Sequence, residues 1–136
     1  MRGKQLVIIF TGLLIVGNVV FAGSKLNIEE GTWEITSTTK MQGMTMPSMT
    51  FSQCITEQNA VPQNNSQGQD KCKVTDMQTV GNTVSWTVFC QDPSGDMKGK
   101  GKITYHGDRF DGEVNMQMAG MAMVTHMRGK RIGPCQ

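Results

Sequence analysis

The stretch MQGMTMPSM, residues 41–49, places four methionines in nine positions. A thioether is a neutral, polarizable donor that selects Cu(I) or Ag(I) over harder cations, and it is equally a flexible apolar filler. Met41, Met44, Met46 and Met49 are therefore candidate ligands for a soft metal ion. A second concentration follows near the C-terminus, where Met116, Met118, Met121 and Met123 recur at close spacing and Met97 precedes them. Cysteines complete the sulfur inventory: Cys54, Cys72, Cys90 and Cys135, at spacings of 18, 18 and 45. Zinc-thiolate sites use close ligand pairs. None occurs here, so the cysteines read as two disulfides of a small exported domain.

Catalytic patterns are missing. Neither GxSxG nor HExxH is present, and no other nucleophile arrangement stands out. GDMKGKGK is glycine-rich and basic but lacks the GxxxxGK[ST] spacing of a phosphate loop, so it reads as a strand. His106, Asp108 and Asp111 cluster at a hairpin tip, where solvated turn residues are expected. These features predict a protein that is not an enzyme and carries no cofactor.

The N-terminus predicts the compartment. A basic head, MRGK, precedes the apolar run QLVIIFTGLLIVGNVVF, and Val20 and Ala22 have the small-residue spacing of a secretory cleavage site. Residues 1–22 are thus expected to be a signal peptide, with 23–136 a single mature domain, periplasmic or secreted, that keeps no transmembrane span. Without Arg2 and Lys4 the 13 basic residues become 11, equal to the 11 acidic ones. A neutral balance argues against a nucleic-acid partner, which needs a basic face.

Positioning the sulfur side chains falls to β-strands. Period-2 alternation recurs in GTWEITSTTKM, MTFSQCI, CKVTDMQTV, TVSWTVFC, MKGKGKITYH, RFDGEVNMQM and MAMVTHMRGKRI. The pattern predicts an all-β fold, an antiparallel meander of about seven strands curled into a barrel or half-barrel. TEQNAVPQNNSQGQDK between the second and third strands reads as a polar loop, with room for one helical turn after Thr56. With Gly107-Asp108 as a two-residue turn, Tyr105 faces Phe110, Gly99 faces Met116 and Met97 faces Met118. A turn at Ala119-Gly120 then sets Met118 opposite Met121 and Met116 opposite Met123. The methionines share a face with Ile103, Tyr105, Phe110 and Val114, which predicts that they pack in the core. Lys102, Glu113 and His126 lie side by side on the other face as a solvated ladder.

The first hairpin predicts Met41 opposite Met49 and Ile35 opposite Ile55. Met44 and Met46 fall in the loop between, where three roles compete. They fold back as a lid over the core, meet an apolar ligand, membrane or partner, or offer thioethers to a metal. The lid is the expected one. In CKVTDMQTVGNTVSWTVFC the apolar faces match across a three-residue turn at Val80–Asn82. That register pairs Val74 with Val88 and Cys72 with Cys90, and leaves Cys54 with Cys135. The rival pairing joins Cys54 to Cys72 and Cys90 to Cys135.

The ordered set GTWEITSTTKM, the Met/Pro loop, QC, CKV, GNTVSWTVFC, GKGKITYHGD, the Met-rich hairpin and GKRIGPC resembles a family of small secreted bacterial proteins that carries only a domain-of-unknown-function label. The resemblance spans about residues 28–136 and implies an exported β-domain without an assigned activity. A second likeness is to lipocalin-like barrels, with Gly31, Trp33 and Arg131 in the places of a first-strand Gly-x-Trp and a last-strand Arg. Parity counts against it, because seven alternating strands would leave the last parallel to the first. The expected function is a non-enzymatic envelope protein that binds an apolar ligand or protein partner at an open end lined by Met44, Met46, Met97, Met116, Met118, Met121 and Met123. The alternative is soft-metal binding through Met41, Met44, Met46 and Met49.

Overall fold

The computed structural model describes residues 26–62 and 71–136; the expected signal peptide lies outside them. Eight strands form one antiparallel sheet curled into a half-barrel: β1 (Gly31–Met41), β2 (Met44–Thr45), β3 (Met49–Ile55), β4 (Cys72–Val80), β5 (Thr83–Cys90), β6 (Met97–Tyr105), β7 (Arg109–Met118) and β8 (Met121–Gly133). β1 lies between β8 and the β2/β3 edge, and the meander runs on through β7, β6 and β5 to β4 at the other edge.

Alternation along each strand sorts the sheet into a concave apolar face and a convex polar one. The core sits at one end of the concave face and is built on Trp33, Ile35, Ile55, Val84, Trp86, Ile103, Tyr105 and Phe110. Trp33 stacks on Phe110 with ring centroids 5.5 Å apart, and Tyr105 meets both rings edge-on. The convex face carries the ladder Lys102, Glu113 and His126, with His126 Nδ1 3.5 Å from Glu113 Oε2.

The meander registers match the sequence reading: Tyr105 pairs with Phe110, Met97 with Met118, Met116 with Met123 and Met118 with Met121. Both expected disulfides form, Cys72–Cys90 and Cys54–Cys135, with Cα atoms 4.0 and 5.3 Å apart.

Four expectations are corrected. The β4–β5 turn is the two-residue Gly81-Asn82, because a bulge between Thr75 and Gln78 absorbs the extra residue. Asp76 adopts φ 52° there, a conformation that local side-chain hydrogen bonding lets Asp tolerate. In the first hairpin Met41 pairs with Met44, and Met49 moves four positions to face Ser37, with Ile35 facing Phe51. Gln42 (φ 48°) and Gly43 (φ 81°) make the tight turn that a two-residue hairpin requires, and Pro47 then interrupts pairing until Met49. The parity objection also fails. β1 and β8 pair antiparallel because β3 occupies the far side of β1, so alternation breaks between β3 and β4. Finally, the polar connection is not wholly a surface loop: Ala60 and Val61 are buried in the core, and Thr56–Asn59 form a tight turn in place of a helical one.

Close packing on the concave face requires glycine at Gly129. A Cβ there would penetrate the Phe110 ring, which its aromatic neighbours hold in place. Gly129→Ala is expected to lower stability by about 1–3 kcal/mol, as overpacking does. Gly133→Ala, where a Cβ meets nothing within 4 Å, should leave the urea midpoint unchanged.

Candidate functional site

The core does not fill the half-barrel. Toward the opposite end the concave face opens into a trough of about 460 Å³. β4 and β5 supply Val74, Val88, Trp86 and Cys72 of its wall, β7 supplies Val114 and Met116, and β8 supplies Met127. Val61 and Pro62 close one side. Among the described residues no charged side chain lines it, and its volume falls within the range of about 300–1,000 Å³ typical of small-molecule sites.

Two local features fix this geometry. The Cys72–Cys90 disulfide joins directly opposed residues and ties the β4 edge to β5. Tyr105, fully buried, donates its hydroxyl hydrogen to the Ala60 carbonyl, which pins the chain leaving β3 along one side of the trough.

The methionines occupy a different place from the one expected. Among the described methionines only Met127 belongs to the core. Met41, Met97, Met116, Met118, Met121 and Met123 share the core face, as the register requires, yet are only half-buried and lie beyond the packed cluster. Packing beneath them ends where Val74, Val88 and Val114 end. Nor do Met44 and Met46 form a lid: they are 64% and 48% exposed, because the Gln42-Gly43 turn carries them away from the core. Met49 is also 48% exposed on the β3 edge, remote in register from Met41. Of the predicted ligand-contacting methionines, Met116 alone lines the trough. Met118 and Met121 border a second hollow at the β7–β8 tip, together with Asp96, Lys98 and Gln117.

Gly31, Trp33 and Arg131 do converge. Arg131 pairs with Trp33 across β8 and β1, and its Nε donates to the Glu30 carbonyl at 2.9 Å. Trp33 Nε1 donates to the Glu29 carbonyl at 3.0 Å. These bonds close the packed end of the half-barrel.

A family model for proteins of unknown function, DUF3617, matches residues 28–135. The chain belongs to this family. No characterised protein and no solved structure matches it. The matched span runs from Ile28, which bridges to Gly107, to Cys135, so it takes in both disulfides, the trough and the methionine face.

Sequence reasoning missed Val61 and Pro62, which are isolated among polar residues, and undervalued Val74, Val88 and Val114. The alternation in TVSWTVFC carries the signal for Trp86 and Val88; nothing comparable marks Val61.

Burial pushes the Tyr105 phenol far above its ordinary range. An unfolded phenol ionises near pH 10, so between that pH and the folded value only the unfolded chain loses the proton. Stability is unaffected below about pH 10 and falls as pH rises beyond it. Because the chain has one tyrosine, phenolate absorbance should appear only in step with unfolding. Tyr105→Phe should remove this alkaline loss and cost about 1–3 kcal/mol at neutral pH, since the Ala60 carbonyl loses its partner.

Proposed function

We propose that this domain is a non-enzymatic binding protein of the cell envelope that holds an apolar small molecule, such as a long alkyl chain, in the half-barrel trough. One observation carries the reading: a cavity of about 460 Å³ is walled by aliphatic, aromatic and sulfur side chains and, among the described residues, contains no charged group. The lining side chains offer water few hydrogen-bond partners, so an apolar occupant gains free energy roughly in proportion to the area it buries. Two disulfides and the absence, among the described residues, of a helix able to cross a membrane are compatible with an exported location. A binding role needs no catalytic group; His106 and His126 are both exposed, and neither lines the trough.

The test exploits the two tryptophans. Trp86 lines the trough, whereas Trp33 is sealed in the core. Titration with a long-chain alcohol should shift emission in the wild type, and the shift should vanish in Trp86→Phe. Val88→Phe, which projects a larger ring into the cavity, should weaken binding more than about tenfold while leaving the unfolding midpoint close to that of the wild type. Undiminished binding by Val88→Phe would place the ligand elsewhere.

A further inference from the structure

The β7–β8 hairpin brings four thioethers into a block on the concave face. Met116 pairs with Met123 and Met118 with Met121. Directly opposed strand residues have Cβ atoms about 4.5–5.5 Å apart, and diagonal neighbours about 7–8 Å, within reach of long side chains. Met41 lies beside Met123 on β1, and Met97 beside Met118 on β6.

Core filling does not explain this block. None of its four members belongs to the buried cluster or packs against it, although residues on the same strands, Phe110, Val114 and Met127, do so. All four are half-buried, so an ion from solution reaches them. The hollow at the hairpin tip borders Met118 and Met121, with Asp96 and Lys98 also lining it. No group of three or more His, Cys, Asp or Glu that could hold a metal occurs among the described residues, and both disulfides keep the cysteines from acting as thiolates. The soft donors that the register gathers here are therefore thioethers, with Met116 Sδ resting over Gly99 on β6.

We propose that Met116, Met118, Met121 and Met123 form a binding site for a soft monovalent cation, Cu(I) or Ag(I). Four flexible neutral sulfur donors, each with three rotatable bonds, close around such an ion without a change in protonation. Hard divalent ions gain little from these donors. The site is separate from apolar-ligand binding except for Met116, whose side chain also borders the trough.

The experiment is an anaerobic competition titration of the exported protein with Cu(I) against a chromogenic chelator, repeated with Ag(I) as a redox-inert probe and with Zn(II). Tight Cu(I) and Ag(I) binding with little Zn(II) binding is expected. Met118→Leu combined with Met123→Leu removes one sulfur from each pair, keeps apolar bulk and spares Met116. This variant should lose Cu(I) affinity more than about tenfold, with its unfolding midpoint and its response to a long-chain alcohol retained. Met44→Leu with Met46→Leu, in the exposed loop, should bind Cu(I) like the wild type. Affinity no better than that of a methionine-poor control protein would overturn the proposal. So would a loss that follows the loop pair instead of the hairpin pair.

Discussion

β3 and β4 run in the same direction at the two edges of the sheet, and that constraint organises the molecule. It follows from the pairing: β3 is antiparallel to β1, and five further antiparallel steps from β1 through β8 reach β4. Antiparallel closure between such edges is impossible, and among the described residues no ladder joins them. The chain must therefore cross from one edge to the other. In crossing it inserts Ala60 and Val61 into the concave face, where the Tyr105 hydroxyl satisfies the Ala60 carbonyl. A buried carbonyl without that partner would carry a desolvation cost.

This crossing divides the concave face. On one side the aromatic trio Trp33, Tyr105 and Phe110 packs without space for even a methyl group at Gly129. On the other, Val74, Val88 and Val114 leave the trough unfilled, and beyond it the methionines carry the face to the hairpin tips. Each disulfide ties an edge strand of the open sheet to another part of the chain. Cys72–Cys90 ties the β4 edge to its neighbour, and Cys54–Cys135 joins the β3 edge to the chain terminus across 81 residues. A link over so long a loop removes more unfolded-state entropy than the local one does, by about 1 kcal/mol in the chain-entropy model.

Much of this is legible in the sequence, and the failures have specific causes. The β6–β7–β8 registers follow from turn residues and alternation, because Gly107, Gly120 and the glycines of β6 leave one arrangement that keeps apolar residues on one face. The β4–β5 register is right beside the disulfide and wrong at the turn, since one bulge at Asp76 compensates for the difference. The first hairpin slips by four residues because Gln42, not a residue typical of such turns, takes positive φ. The methionines are placed on the correct face, but alternation says nothing of depth. Depth is set by what lies across the face, and the residues that do so, Ala60 and Val61, stand in a stretch whose polar composition reads as solvent-exposed.

The central claim is that the concave face is filled at one end and open to an apolar occupant at the other, with Val61 and Pro62 as the boundary. Methionine methyl groups report on this directly, because they are distributed over the trough, the hairpin block and the exposed loop. A methyl-NMR titration with a long-chain alcohol should move the resonances of Met116 and Met127, which line the trough, and leave those of Met44, Met46 and Met77, all exposed outside it, in place. Shifts confined to Met44, Met46 and Met77, or no shift at saturating alcohol, would contradict the claim.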